Sequence, residues 1–242
     1  MVEHIADTER ERALEGTVFP RLPEFPIVHE RTAIVTIDMQ YLDAHPDYGL
    51  GRRAKEAGTF ELLRPFFDDV ASIIPNIQRL QNVARRSGVE VIHVRIVPRT
   101  EDARECPPIT RLRKLRYPRS SPEGDILKEL EPQGDEISLT KITSSAFLST
   151  ELELILRNLR IDTLVFCGVI TNGCVESSVR DARDLGFMPI IASDGCATWT
   201  REMHERSLRF IAGSFGNVRT TAEIVAAIEA VVPRAAAAVA GA

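Results

Sequence analysis

No apolar run among the 242 residues reaches the roughly 18–20 needed to cross a bilayer, so no membrane partner is expected. The stretch from Met1 to Gly16 is too charged to hold the apolar core of a signal peptide, which points to a cytoplasmic protein. Cysteine is scarce. Cys106, Cys167, Cys174 and Cys196 include no C-x-x-C pair and no His at zinc spacing, so neither a disulfide framework nor a structural metal site is indicated and each thiol is expected to be free. Excess positive charge is lacking too: 30 Lys plus Arg against 35 Asp plus Glu give −5, which repels a polyphosphate and argues against nucleic acid. A small neutral or modestly charged ligand fits better. No internal repeat is evident. What is present, 44% apolar and 27% charged residues, belongs to the ordinary globular class.

From Thr32 onward, short β-branched apolar runs alternate with segments of helical period, the pattern of β-α-β units around a parallel sheet. Thr32 to Ile37 and Thr163 to Val169 are apolar throughout, as strands covered on both faces must be. Further strands are expected at Val89 to Val97, Glu136 to Thr140, Met188 to Ala192 and Asn217 to Arg219. Val70 to Ala84 carries the spacing of an amphipathic helix ending at Gly88, and Pro75 suggests that its regular part starts nearby. Other helices are expected near Asp125 to Leu130, after a capping box at Thr150 and Glu153, over Gly173 to Leu185, over Arg201 to Ala212, and after a second box at Thr220 and Glu223. These elements make one doubly wound α/β domain over residues 31–232, with six mostly parallel strands and helices on both faces. Residues 1–30 read as an arm laid over the surface or over a neighbouring subunit, and 233–242 as a frayed tail. The Arg- and Pro-rich stretch from Pro98 to Gly124 reads as a solvated loop, or as a segment over the pocket or at a subunit contact.

In such a sheet, ligands bind beyond the carboxyl ends of the strands, where strand order reverses. Asp38 ends the first strand, Lys141 follows the third, and Thr171, Asn172, Gly173 and Cys174 follow the fourth. A thiol at a helix start beside a cation becomes a ready thiolate, and a carboxylate within reach can take its proton and pass it to a leaving amine. Backbone N–H groups around Ile170 to Cys174 can form an oxyanion hole. Each residue also has a plain reading: a buried small thiol, a turn aspartate, a solvated lysine. The string Asp43, His45, Asp47 has metal-like spacing but lies in a Pro-containing loop, and no metal or other cofactor is expected. Phe147 reads as a wall of the site or as a core aromatic, with Tyr41 and Trp199 equally open, and His93 as a core histidine within a strand.

Four pieces carry a family likeness in order: Ala33 to Gln40 (AIVTIDMQ), Lys141 with Ser144 to Phe147 (K-x-x-S-S-A-F), Cys167 to Arg180 (CGVITNGCVESSVR) and Ile190 to Ala197 (IIASDGCA). Over about residues 30 to 230 the chain resembles the isochorismatase-like cysteine hydrolase superfamily. The resemblance implies a triad of Asp38, Lys141 and Cys174 and a six-stranded parallel sheet. It also implies a cis peptide between Val169 and Ile170 that aims N–H groups at an oxyanion. Val169, Ile170, Thr171, Asn172, Gln40, Ser145 and Phe147 are the expected oxyanion and substrate-binding positions. Within the superfamily the chain is most similar to N-carbamoylsarcosine amidohydrolase and relatives acting on carbamoyl or ureido compounds, on Ile73 to Ala84, Ser145 to Leu156 and Arg160 to Leu164. The activity implied is hydrolysis of a small carbamoyl or carboxamide C–N bond through an acyl-enzyme, releasing ammonia, in a homo-oligomeric dimer or tetramer. The alternatives are a maleamate- or nicotinamide-type deamidase, or a binding protein that kept the fold. Two departures bear on these. Val97 to Asp102 lacks the His of the nicotinamidase zinc site, and Ile170 and Asn172-Gly173 replace residues more usual at the pocket.

Overall fold

A computed structural model describes residues 20–231. Six strands, β1 (Thr32–Ile37), β2 (Glu90–Ile96), β3 (Ile137–Lys141), β4 (Thr163–Val169), β5 (Met188–Ala197) and β6 (Asn217–Arg219), form one sheet in the order β3-β2-β1-β4-β5-β6. Every neighbouring pair is parallel. The helices are α1 (Tyr41–Ala44), α2 (Gly49–Glu56), α3 (Phe60–Ser87), α4 (Pro108–Leu112), α5 (Leu152–Asn158), α6 (Glu176–Asp184), α7 (Arg201–Ser214) and α8 (Thr221–Ala230). Alternation along the strands sorts the core into two layers. Ile34, Val91, Val165 and Ile190 meet Ile73, Ile77 and Leu80 of α3 and Ile224 and Ile228 of α8. Val35, Ile92, Leu164 and Ile191 meet Leu156 of α5, Val179 of α6 and Ile211 of α7. Each such side chain, fully removed from water, contributes about 1.5–3 kcal/mol, which is why β1 and β4 tolerate no polar face.

Several elements differ from the expected ones. Helix α3 does not start near Pro75. It runs 28 residues through both Pro65 and Pro75. Pro75 and Ala71 lie on the exposed face, so the Ala71 carbonyl that loses its helical partner meets water, while Phe66, Phe67, Val70, Ile73, Ile77 and Leu80 hold the buried face continuous. The box at Thr150 does not form: Thr150 Oγ1 donates to Ala146 O at 2.6 Å and accepts from Leu152 N at 3.0 Å, and Glu151 stands at the N-cap of α5 without a side-chain capping bond. Residues 125–130 hold a single 3-10 turn, Lys128–Leu130, rather than a helix. The second box, Thr220 with Glu223, is formed at the start of α8.

Of the expected arm, the described part lies on the chain's own sheet edge. Phe25 N donates to Asn217 Oδ1 at 2.6 Å, and Arg219 donates to Phe25 O at 2.9 Å. The rest of the arm and the expected tail 233–242 lie outside the described residues. Among the described residues, no helix is long and apolar enough to cross a membrane.

Candidate active site

The sheet order reverses between β1 and β4, and the carboxyl ends of these central strands carry Asp38 and the turn that holds Cys174. The close approach of the two strands there depends on Gly168. It has φ +117°, and a Cβ on it would lie 2.0 Å from Ile37 O. Asp38 then leaves β1 in a left-handed conformation, φ +51°, with its N–H bonded to Val94 O at 2.8 Å. Asp is among the few residue types that adopt this geometry readily. From β3, Lys141 sends its ammonium inward to Asp38 Oδ2 at 2.8 Å and to Thr143 O at 3.0 Å, with both charged side chains out of water. Cys174, partly buried, completes the group, near enough for the charges of Asp38 and Lys141 to bear on its thiol. The three residues are thus brought together from three strand ends.

Burial governs the proton affinities. It raises the Asp38 pKa, and Lys141 offsets this only in part. Burial alone would lower Lys141, but Asp38 and Cys174 outweigh it and keep the amine cationic. Cys174 is pushed well up by burial and by Asp38, more than Lys141 pulls it down. A ready thiolate is therefore corrected to a resting thiol. Asp38 Oδ1 is buried with no hydrogen-bond partner among the described residues.

The expected helix from Gly173 to Leu185 also starts later. Residues Thr171–Val175 form an irregular turn, with Gly173 at φ −126°, ψ −107°, and regular helix begins at Glu176. The Val169–Ile170 peptide is cis. The Ile170 carbonyl takes the N–H groups of Gly173 at 3.0 Å and Val175 at 3.4 Å, which removes those two from any oxyanion hole. Thr171 is buried and its Oγ1 lies 2.8 Å from His204 Nδ1 on α7, while exposed Asn172 accepts from Thr198 Oγ1 at 2.6 Å. Both therefore hold the turn to the body of the protein. Ser178, not singled out in the sequence, donates to Cys174 O at 2.7 Å and accepts from Ala146 N at 3.0 Å, so it ties the cysteine turn to the K-x-x-S-S-A-F segment. Its position four residues after Cys174 on α6 was the available signal.

Three expected substrate contacts have their polar groups or faces occupied elsewhere. Gln40 is wholly buried: its amide donates to Ile96 O and Glu123 O, both at 2.9 Å, and accepts from Ile96 N at 2.6 Å. With these backbone partners the Gln40 side chain clamps the ends of β1 and β2. Ser145 Oγ accepts from Phe147 N at 3.1 Å in a local turn. Phe147 packs on Phe187 with ring centroids 5.8 Å apart, which favours the core reading. Trp199 packs on Phe66, and Tyr41 on His45 and Tyr48. His93 is buried as expected, with Nε2 3.0 Å from Glu136, but its Nδ1 has no partner among the described residues. The Asp43, His45, Asp47 string does not converge: Asp47 pairs with Lys55, and His45 Nδ1 accepts from Asp47 N. No metal-binding group of three was found among the described residues. Of the 98–124 stretch, Tyr117 reaches the site's base, its hydroxyl donating to Ile96 O.

Comparison with known proteins gives the family. Residues 32–223 match the isochorismatase domain family, and the chain belongs to it. It is similar to an isochorismatase family protein of Bacillus subtilis, 40% identical over 42% of this chain and 54% of that one. It is also similar to N-carbamoylsarcosine amidase of Arthrobacter sp, 34% identical over 66% of this chain and 62% of that one. These matches span between half and two thirds of the relatives' lengths. Ureidoacrylate amidohydrolase of Acinetobacter baylyi is 28% identical over 89% of this chain and 91% of its own. Among solved structures, a cysteine hydrolase from Pseudomonas syringae superposes with TM-score 0.73 and 29% identity, over 87% of this chain and 97% of that one.

Proposed function

We propose that the protein is a metal-independent cysteine amidohydrolase acting on the carbamoyl or carboxamide carbon of a small molecule. The observation that carries the reading is Asp38, a buried carboxylate with one oxygen on Lys141 and the other without a partner among the described residues, near the Cys174 thiol. The two relatives named as amidases of carbamoyl and ureido compounds support the substrate class.

In this reading Asp38 removes the Cys174 proton as sulfur attacks the carbonyl carbon. A thiol held at high pKa gives a strong nucleophile once deprotonated, and a carboxylate of raised pKa is the better base. Lys141 keeps Asp38 oriented and balances the negative charge that passes between carboxylate and sulfur. The oxyanion takes backbone N–H groups of the turn that follows β4, among which those of Gly173 and Val175 are committed to Ile170 O. Asp38 then gives its proton to the leaving nitrogen, the C–N bond breaks, and ammonia departs from a thioester. Water, deprotonated by Asp38, attacks the thioester and the thiol is restored. A carbamoyl substrate yields a carbamic acid that loses carbon dioxide, and a simple amide does not.

The test is a panel of ureas and carboxamides scored for ammonia and carbon dioxide, with intact-mass detection of an acyl adduct on Cys174. Ammonia release abolished by Cys174→Ala is expected. Turnover unchanged in that variant, or iodoacetamide labelling of Cys174 no faster than of buried Cys106, Cys167 and Cys196, would favour the binding protein instead.

A further inference from the structure

Two irregular segments carry the lysine and the cysteine of the site. After Lys141, residues 142–151 form no helix or strand, and hydroxyl groups shape them instead. The Lys141 ammonium donates to Thr143 O at 3.0 Å, Thr143 Oγ1 donates to Ser145 O at 3.0 Å, and Ile142 N donates to Ser149 Oγ at 3.1 Å. Cys174 stands in the irregular turn before Glu176, where regular helix begins. Asp38 is fixed separately, by its N–H on Val94 O and by Lys141.

Ser178 joins the two segments. Its Oγ accepts from Ala146 N at 3.0 Å and donates to Cys174 O at 2.7 Å, so its single proton is used and one lone pair with it. Among the described residues this is the one hydrogen-bonded link between residues 142–150 and residues 170–184. The Ser145–Ala146 peptide is thereby gripped on both sides, its oxygen by Thr143 and its N–H by Ser178. A continuous path of hydrogen bonds runs from the Lys141 ammonium through Thr143, that peptide and Ser178 to the Cys174 carbonyl. Ser178 and Ala146 are fully buried, so water cannot replace a lost hydroxyl there and the Ala146 N–H would be left unsatisfied.

We infer that Ser178 is a positioning residue for the reaction proposed above: by holding the Ser145–Ala146 peptide with one bond and the Cys174 carbonyl with the other, it sets the cysteine turn in register with Lys141, so that the sulfur meets the Asp38–Lys141 pair. The inference rests on the cysteine amidohydrolase reading of that site. Ser178 acts through the Cys174 backbone and takes no part in the proton transfers. Ser207 makes a tie of the same kind that does not reach the cysteine. Buried on α7, it donates to Glu176 Oε2 at 2.5 Å, at the start of α6.

Alkylation of Cys174 by iodoacetamide, followed by peptide mass, reads the alignment without a known substrate. Ser178→Ala should slow it about tenfold, because small misplacements of a reacting group carry large rate costs. Labelling of buried Cys167 and Cys196 reports general loosening and should stay at the wild-type rate. Ser178→Thr keeps the hydroxyl and Ser178→Val has the same shape without it, so threonine should stay within about threefold of wild type and valine should fall with alanine. On the panel of ureas and carboxamides, the alanine and valine variants should lose about tenfold in kcat with KM within about twofold. Ser207→Ala should stay within about twofold of wild type in both assays. Melting curves fix one assay temperature at which every variant is folded. Cys174 alkylation unchanged or faster in Ser178→Ala, valine equal to threonine, faster labelling of Cys167 and Cys196, or an equal loss in Ser207→Ala overturns the inference, while ammonia release by wild type still upholds the amidohydrolase. No ammonia from any compound overturns the amidohydrolase, and the alkylation series still decides the role of Ser178.

Discussion

Two buried carboxylates of this fold sit beside cations, and they end in opposite states. Glu136, at the amino end of β3, is saturated: Arg85 reaches it through Nε at 2.6 Å and through a terminal nitrogen at 3.0 Å, His93 lies at 3.0 Å, and Gln133 N donates at 2.9 Å. Burial alone would raise Glu136, but these donors hold it down to about 2. Asp38, at the carboxyl end of β1, is buried more deeply, yet it receives the Lys141 ammonium on one oxygen and leaves the other open. Burial wins there, and its pKa rises. The count of donors, more than the presence of a cation, separates a carboxylate fixed for structure from one available as a base.

The sharpest way to break this comparison is to remove each charge in turn. Cys174→Ala and Asp38→Asn should each lower kcat by roughly 10³-fold or more, because in the proposed relay Asp38 both takes the thiol proton and returns it to the leaving nitrogen. Steady-state ammonia release checks this. Glu136→Gln, by contrast, should leave kcat within about twofold while the protein is folded, since it lies at the far end of the strand from the thiol. A Glu136 variant that folds but loses turnover, or an Asp38 variant that keeps it, would reverse the assignment.

Stability should divide the other way. Glu136→Gln leaves Arg85 and the neighbouring buried His93 short of a partner, and a loss of about 2–3 kcal/mol in urea unfolding at pH 7 is expected. The sign with pH follows from the depressed pKa. The contribution is full above the ordinary glutamate value of 4.5 and is lost as pH falls toward about 2, so the difference between wild type and variant should shrink on acidification.

Much of this was legible in the chain. β4 and β6 fall on the expected residues because wholly apolar or short runs between turn signals have no competing helical period. That Asp38, Lys141 and Cys174 stand at three strand ends was legible too, since each follows an apolar run directly or by a few residues. What was hidden depended on groups brought together by tertiary structure. Gln40 looked like a ligand contact because nothing local shows that Ile96 and Glu123, 56 and 83 residues away, consume its amide. Thr171 meets His204 across 33 residues, a pairing that no local pattern shows. The ready thiolate failed for the same reason, since the burial that raises Cys174 is a property of the packed site. Pro75 misled because the rule against interior proline presumes a buried carbonyl, and here that carbonyl faces water.

Asp43 lies between the two extremes, and the smallest predicted effect places it. Its pKa in the folded protein is raised from the ordinary 3.8 to about 7, so the folded state keeps a proton that the unfolded chain releases over that interval. Stability therefore falls as pH rises through the window, the reverse of the Glu136 case. Asparagine, which resembles the protonated carboxyl, should match wild type near pH 4 and exceed it at pH 8. With partial contact with water taken into account, the gain is about 1 kcal/mol, or roughly 2–4 °C for a chain of this size. Melting curves of wild type and Asp43→Asn at the two pH values decide the matter. An equal difference at both would mean that Asp43 is solvated like any surface carboxylate. A gain confined to pH 8 would mark a charge held against burial at a cost in stability.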